Sequence, residues 1–183
     1  MPILRGCIFF LLCVTCLSQA PALAKEAQQS GLLVAQLQEP SVLSSRREIF
    51  RLVNLAKETG TGIIFIQVFR AHRAWFASKI ADSSPYAFCF RSLSEDPLRL
   101  LIKQAHTKGI KVCAWMNLLS LSTNKDAFIL KKYGSGILTT NRKKKDTIKD
   151  YQIDHQYFLE PGDLRVRKEL ASLVEEVLLD YPD

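Results

Sequence analysis

The sequence predicts an α/β fold built on parallel strands, and three observations carry that expectation. Short, nearly all-apolar runs recur at residues 31–37 (GLLVAQL), 62–68 (GIIFIQV) and 110–119 (IKVCAWMNLL). Longer stretches of helical period alternate with them, at residues 44–60, 94–109 and 163–180. The second run shows no polar alternation until Gln67, the pattern of a strand buried on both faces. Strands that alternate with helices of this length imply a parallel sheet with right-handed crossovers. The doubly wound sheet and the (β/α)8 barrel both begin this way, and both place their chemistry after the C-terminal ends of the strands. A nucleotide-binding sheet would carry a glycine-rich turn after its first strand. Here that strand leads into QEPSVLSS, with neither GxGxxG nor GxxxxGK[ST].

The helical stretches carry their own punctuation. In residues 44–60, Ile49, Phe50, Leu52, Val53 and Ala56 share one face; Ser44 or Ser45 caps the start and Gly60 ends it. In residues 94–109, Asp96 caps, Pro97 takes the first helical position, Gly109 closes, and Leu98, Leu101, Ile102 and Ala105 form the buried stripe. The strongest periodicity is Val166, Leu170, Leu173, Val174, Val177 and Leu178 in residues 163–180. Between the second strand and second helix lies a loop rich in aromatics, residues 69–93. Residues 120–160 form a polar stretch too long for a passive connection, with room for a short helix over 125–132.

The first 24 residues differ from the rest. Arg5 is their one charge, residues 8–17 are apolar, and Ala22-Leu23-Ala24 precedes Lys25-Glu26. This is the form of a secretory signal peptide cut after Ala24, and the apolar run of about ten residues is too short for the roughly 20 of a spanning helix. The expectation is an exported protein, periplasmic or extracellular, that meets a membrane only through its signal peptide before cleavage. Lipidation at Cys16 is the alternative, but Val14-Thr15 fits a lipobox poorly. Cleavage removes three of the five cysteines and leaves Cys89 and Cys113, one possible bridge rather than a disulfide framework. Cys113 lies in an apolar run, which favours a buried thiol.

The net charge of +7 is concentrated in NRKKKDTIKD, residues 141–150, and in Lys131-Lys132. A solvated loop is the simpler reading, with an anionic polymer as the alternative. No aromatic side chains interleave with these lysines, so nucleic acid is not the expected partner. His72, His106 and His155 lack metal-ligand spacing, and neither a metal nor another cofactor is expected. His106, near the end of its helix, is expected to face the terminal carbonyls rather than a site.

After the second and third strands the residue types suit a sugar. QVFRAHRAWFASKI (residues 67–80) brings Gln67, Arg70, His72, Arg73, Trp75 and Phe76; AWMN brings Trp115 and Asn117. An indole packs against the C–H face of a pyranose while planar amides and guanidinium groups bond its hydroxyls. Gln67, Arg70, Arg73, Trp75, Trp115 and Asn117 are the substrate-binding candidates, set against plain readings of Trp115 as core and the arginines as solvated loop charges.

Three blocks, FIQVFRAHRAWFASKI, DPLRLLIKQAHTKGIKVCAWMN and LEPGDLRVRKELASLVEEVLLDYPD, resemble consecutive parts of the glycosyl hydrolase-like 10 family, exported bacterial TIM-barrel proteins. The resemblance runs from about residue 62 to the end and rests on Gln67, Trp75, Phe76, Ser78, Asp96, Pro97, Leu98, Ala105, His106, Gly109, Ile110, Val112, Ala114, Trp115, Asn117, Pro161 and Gly162. It implies hydrolysis of a polysaccharide, with a cell-wall glycan as the candidate. Two departures bear on specificity: His72-Arg73 stands where many relatives carry a small-acidic pair, and GLLVAQL replaces a different opening strand. The resemblance also implies a fourth strand with the catalytic carboxylate just after residue 183. Glycoside hydrolysis needs two carboxyl groups, and Glu39, Asp82, Asp126, Asp146, Asp150, Asp154 and Glu160 show no pairing that singles one out. The expectation is therefore an incomplete (β/α)8 barrel. Residues 1–24 are the signal peptide, and residues 31–183 the N-terminal portion with its first three βα units. It would be inactive as it stands, its catalytic residues unknown. The alternative is a small exported glycan-binding α/β module without catalysis.

Overall fold

The computed structural model describes residues 32–35, 42–140, 152–153 and 155–182. The expected signal peptide with Ala24 and Cys16, the acids Glu39, Asp146, Asp150 and Asp154, and the basic run 141–150 lie outside these residues.

The central strand is β2 (Ile63–Arg70). It pairs in parallel with β1 (Leu32–Ala35) on one side and with β4 (Lys111–Met116) on the other, Ile63 facing Leu32 and Lys111. β-Branched and aromatic residues suit such a strand, but the burial expected on both faces is complete on one only: Ile63 and Phe65, on the face opposite Ile64 and Ile66, are half-buried. Ile64, Ile66, Val68 and Phe69 are wholly buried. The register with β4 slips by one residue between Gln67 and Phe69, a bulge at the strand's end. There β2 turns back through Ala71-His72 into the short antiparallel β3 (Arg73–Ala74).

The helices follow their sequence signals closely. α1 (Arg46–Glu58) follows a 3-10 turn at Val42–Ser44 and starts after Ser45, whose side chain makes no capping hydrogen bond; it buries Ile49, Val53 and Ala56, while Phe50, expected on that face, is exposed. α3 (Pro97–Thr107) starts with Asp96 Oδ1 accepting from the backbone N–H groups of Leu98 (3.0 Å) and Arg99 (2.8 Å). Gly109 then takes a positive φ of 72° at the turn into β4, where a side chain would be strained. α5 (Leu164–Asp180) is capped by Asp163, whose carboxyl is held down to about 2 chiefly by hydrogen bonds from the Arg165 guanidinium.

The connections hold more structure than their composition announces. The aromatic loop contains β3 and α2 (Ser84–Leu93); α2 has weak amphipathicity, leaving Phe88 and Phe90 exposed. The polar stretch folds into a second, antiparallel sheet in which β7 (Gln156–Phe158) pairs with β5 (Ser120–Ser122) and β6 (Gln152–Ile153). The expected short helix is α4 (Phe128–Tyr133). Cys89 is the buried thiol and Cys113 is half-buried, with no disulfide between them, so the burial expected of Cys113 is only partial.

α5 differs most from expectation. A crossover helix would return beside β4 and finish near the start of the next strand. Instead Arg99 Nη2 donates to Asp180 O (2.6 Å), and Tyr181 Oη donates to Asp96 Oδ2 (2.8 Å), at the first turn of α3. Further up the helix, Glu176 accepts from Ser78 Oγ (2.6 Å) and from the Lys79 N–H (2.9 Å). Glu169 accepts from Lys132 Nζ (2.7 Å) and Tyr133 Oη (3.1 Å) of α4. All these tethers lie in connections that leave the C-terminal ends of β2 and β4, so α5 straps that end of the sheet. Val166, Leu170, Leu173 and Val177 are buried, but Leu178 is 66% exposed, outside the stripe the sequence assigns it to. The parallel α/β sheet is as expected; the third βα unit of a barrel is not formed in this arrangement.

Asp96 joins three elements. Oδ1 caps α3, and Oδ2 accepts from Tyr181 and, at 3.4 Å, from Tyr86 of α2. Burial beside this carboxylate pushes the Tyr181 phenol well above its ordinary value. Asp96→Ala removes a cap and leaves a buried hydroxyl without its acceptor. It should destabilise the chain by about 2 kcal/mol, read from urea unfolding; a loss under about 0.5 kcal/mol would show that Asp96 does not join these elements.

Candidate functional site

The site is assembled at the C-terminal ends of β2 and β4. Gln67 and Trp115 are register partners in adjacent parallel strands, which puts their side chains next to each other on one face of the sheet. Trp115 is half-buried, and its indole Nε1–H donates to Asn117 Oδ1 at 2.7 Å. The Asn117 backbone N–H donates to Phe69 O at 3.0 Å, anchoring the start of the β4 connection to β2. Three of the sequence candidates, Gln67, Trp115 and Asn117, thus form one group.

The other three belong to the hairpin. Arg70 and Arg73 face each other across it. Like charges directly opposite are unfavourable, and Asp82 offsets them, 3.7 Å from Arg73 Nε. The backbone of Asp82 closes this corner by donating to His72 O (3.2 Å) and accepting from the Ala74 N–H (2.8 Å). Trp75 is 3% exposed and, with Arg73, lines a shallow depression of about 160 Å³ against Ser84, Pro85, Phe88 and Cys89 of α2. It therefore packs on α2 rather than beside Trp115. Phe76 is fully buried.

Three buried polar side chains in this region have no hydrogen-bond partner: both amide atoms of Gln67, both ring nitrogens of His72, and the Trp75 indole N–H. Gln67 is 0% and His72 is 1% exposed. A buried polar group without a partner costs about 1–3 kcal/mol, so their clustering along one strand end is a departure from what stability alone would select. Burial lowers the His72 pKa, outweighing the opposing pull of the Glu169 and Asp82 carboxylates.

Sequence reasoning missed the acids that reach this end of the molecule. Glu169 and Glu176 sit on α5, which the sequence presents as a distant crossover. Their spacing of seven puts them on one helical face, the available signal. Both carboxylates are engaged, Glu169 by α4 and Glu176 by Ser78 and Lys79. Of the acids named from the sequence, Asp82 holds Arg73 and the Ser84 N–H, Glu160 accepts from the Gly162 N–H, and Asp126 is exposed. His106 is exposed in the last turn of α3. Among the described residues no group of three or more His, Cys, Asp or Glu side chains could hold a metal ion, and no helix is long and apolar enough to cross a membrane.

Comparison with known proteins adds a family. The model of the family described as glycosyl hydrolase-like 10 matches residues 34–182. The chain is 25% identical over 154 residues to glycosyl hydrolase DigH of Escherichia coli K12, and equally to the proteins of that name in Escherichia coli O157:H7 and Shigella flexneri. The alignment covers 81% of this chain and 33% of each relative, so the chain spans about a third of the length of these curated relatives.

Two measurements test the electrostatics of this site. Gln67→Met removes an unpartnered buried amide at similar volume and should raise stability by about 1 kcal/mol; a loss of that size would show that the amide is bonded in solution. His72 takes up a proton less readily folded than unfolded, so stability rises with pH up to its unfolded value of about 6.5 and is level above it. Thermal midpoints should therefore fall as pH drops from about 6.5 toward 5, and fall less in His72→Phe. Equal slopes in the two proteins would remove His72 as the cause.

Proposed function

The chain belongs to the glycosyl hydrolase-like 10 family, and on that premise we propose that its sheet supplies part of the polysaccharide-binding face of an exported glycoside hydrolase. The observation that carries the reading is the group at the ends of β2 and β4: a half-buried indole with an amide on each side, Gln67 and Asn117. An aromatic face flanked by fixed planar hydrogen-bonding groups matches a pyranose, whose C–H face is apolar and whose rim is hydroxylated. Trp115 stacks on the sugar and Asn117 bonds its hydroxyls, while Gln67, fully buried beside them, bonds a hydroxyl once this strand end opens. Arg70 and Arg73 line the approach at the hairpin, while Trp75 supports it from the α2 side.

The relatives are named glycosyl hydrolases, and the signal-like first 24 residues support export to the periplasm or beyond; a cell-wall glycan is the substrate that fits both. In this reading the three parallel strands are the opening strands of a (β/α)8 barrel, whose sites lie at the C-terminal ends of the strands. No cofactor enters, because two carboxyl groups suffice for glycoside hydrolysis.

A second reading is a small exported module that binds glycan without cleaving it. The position of α5 favours it: the helix closes the C-terminal end of the sheet with this chain's own side chains. Solution behaviour separates the two: the module gives a cooperative thermal transition and a monodisperse monomer, whereas the opening strands of a barrel, with an unpaired edge, aggregate.

Retention on purified peptidoglycan sacculi, with cellulose as comparator, tests the shared premise. Trp115→Ala should weaken retention about five- to tenfold, near the loss of one sugar–aromatic contact of about 1 kcal/mol. Undiminished retention would return Trp115 to a purely structural role.

A further inference from the structure

We propose that His72 is a further ligand-binding residue, its neutral imidazole held at the β2–β3 turn to exchange hydrogen bonds with a hydroxyl of a bound oligosaccharide. The inference rests on the glycan reading and assigns that site a residue outside the group around Trp115.

The turn itself is unusual. Ala71 and His72 both take positive φ, 53° and 59°, where hairpins of this kind use Asn or Gly. Each such residue costs about 1 kcal/mol or more. The turn is nonetheless fixed from several directions. Asn124 Nδ2 donates to Ala71 O (2.8 Å), the Asp82 N–H donates to His72 O (3.2 Å), and the imidazole meets the Phe69 ring edge-on at 5.8 Å. The ring is thus held in place while both of its nitrogens have no partner. Packing alone would be served better by phenylalanine, which has the same shape class and no polar atoms to desolvate.

The unfilled capacity identifies the ligand class. A neutral imidazole offers one donor and one acceptor, and the Gln67 amide offers donors at Nε2 and an acceptor at Oε1. An anion would fill only donors and a cation only acceptors. A hydroxyl both donates and accepts, so a neutral polyol satisfies the set. Gln67 and His72 are five residues apart, at most about 16 Å along the chain, within the reach of a short oligosaccharide. The charges that bear on the ring are Glu169 from α5 and Asp82 from the segment before α2. Burial outweighs them and keeps it neutral, the form with an acceptor nitrogen. The ring is closed from solvent, so ligand entry requires movement of the connection that Asn124 pins to the turn.

The test uses the full chain, retention on peptidoglycan sacculi, and three proteins. His72→Phe should lower retention at least tenfold, and His72→Gln, which keeps a donor and an acceptor, should recover most of it. Because burial lowers the ring's pKa, wild-type retention should hold through about pH 6.5 and decline only at lower pH, with no such decline in the residual retention of His72→Phe. If His72→Phe is retained like the wild type with the same pH profile, the imidazole is a core group and the inference is overturned while the glycan reading stands. If the wild type is not retained at all, both are overturned. Should His72→Phe fail to fold, the wild type decides: chitohexaose must shift the nitrogen resonances of the His72 ring, and unmoved resonances overturn the proposal.

Discussion

Pairing β2 on both flanks with parallel strands constrains everything else in the molecule. A strand with two parallel neighbours must be apolar on the face it buries, and Ile64, Ile66 and Val68 meet that demand with complete burial, while Ile63 and Phe65 on the other face are half-buried. It must also enter and leave at opposite ends, which forces α1 and α3 to run back along the sheet. Gln67 breaks the apolar pattern near the strand's C-terminal end, fully buried opposite Trp115, and the register slip directly after it ends the regular ladder. The candidate site thus begins where the sheet carries a polar side chain that its own packing does not call for.

The parts of the fold that were legible in the sequence are those decided locally. Asp96-Pro97 is followed by an apolar stripe and closed by Gly109, and each signal acts within a few residues of itself. The apolar runs are legible because strands paired on a parallel sheet favour β-branched and aromatic residues over a short, uninterrupted stretch. α2 was hidden for the opposite reason. Its sequence SPYAFCFRSL spreads aromatics around the helix, so no apolar stripe marks it, and Phe88 and Phe90 remain exposed. The second sheet was hidden because its strands are two or three residues long, too short for alternation to register. The candidate site was half legible. Residue type and position after a strand identify Gln67, Trp115 and Asn117. The separation of Trp75 from Trp115 depends on α2, which the pattern did not reveal. His72 was visible as a residue at the strand end, but lying between Arg70 and Arg73 it gave no hint of complete burial.

The position of α5 shows how far a helix pattern alone determines packing. Its stripe specifies that Val166, Leu170, Leu173 and Val177 be covered, and they are. The stripe does not specify by what. The choice is made by polar groups at the edges of the stripe, each reaching a different connection: Glu169 to α4, Glu176 to the Ser78 turn, and the end of the helix to Asp96 and Arg99. Isolated surface pairs contribute little. These contacts are stronger candidates because several join a carboxylate to a hydroxyl or backbone N–H in a partly buried setting, where the competing water is reduced. Hydrophobic periodicity thus fixes that α5 is a helix and which side is inward. The direction in which it lies is a property of side chains that the periodicity leaves out.

The same separation explains why the strand end tolerates so many unfavourable features. Two consecutive positive-φ residues, an unpartnered amide and an unpartnered imidazole lie within six residues. An element stabilised only by its own contacts would not hold them. β2 can, because its stability is supplied elsewhere, by the buried Ile64, Ile66 and Val68 and the core they join. Strain of this kind persists when the surroundings over-determine the conformation. Here they do so through the Asn124 and Asp82 bonds to the turn and the Phe69 ring beneath it. Rigid support beneath and unfilled hydrogen-bonding capacity above is the division of labour that binding a polar ligand requires, since groups already fixed lose little entropy when the ligand arrives.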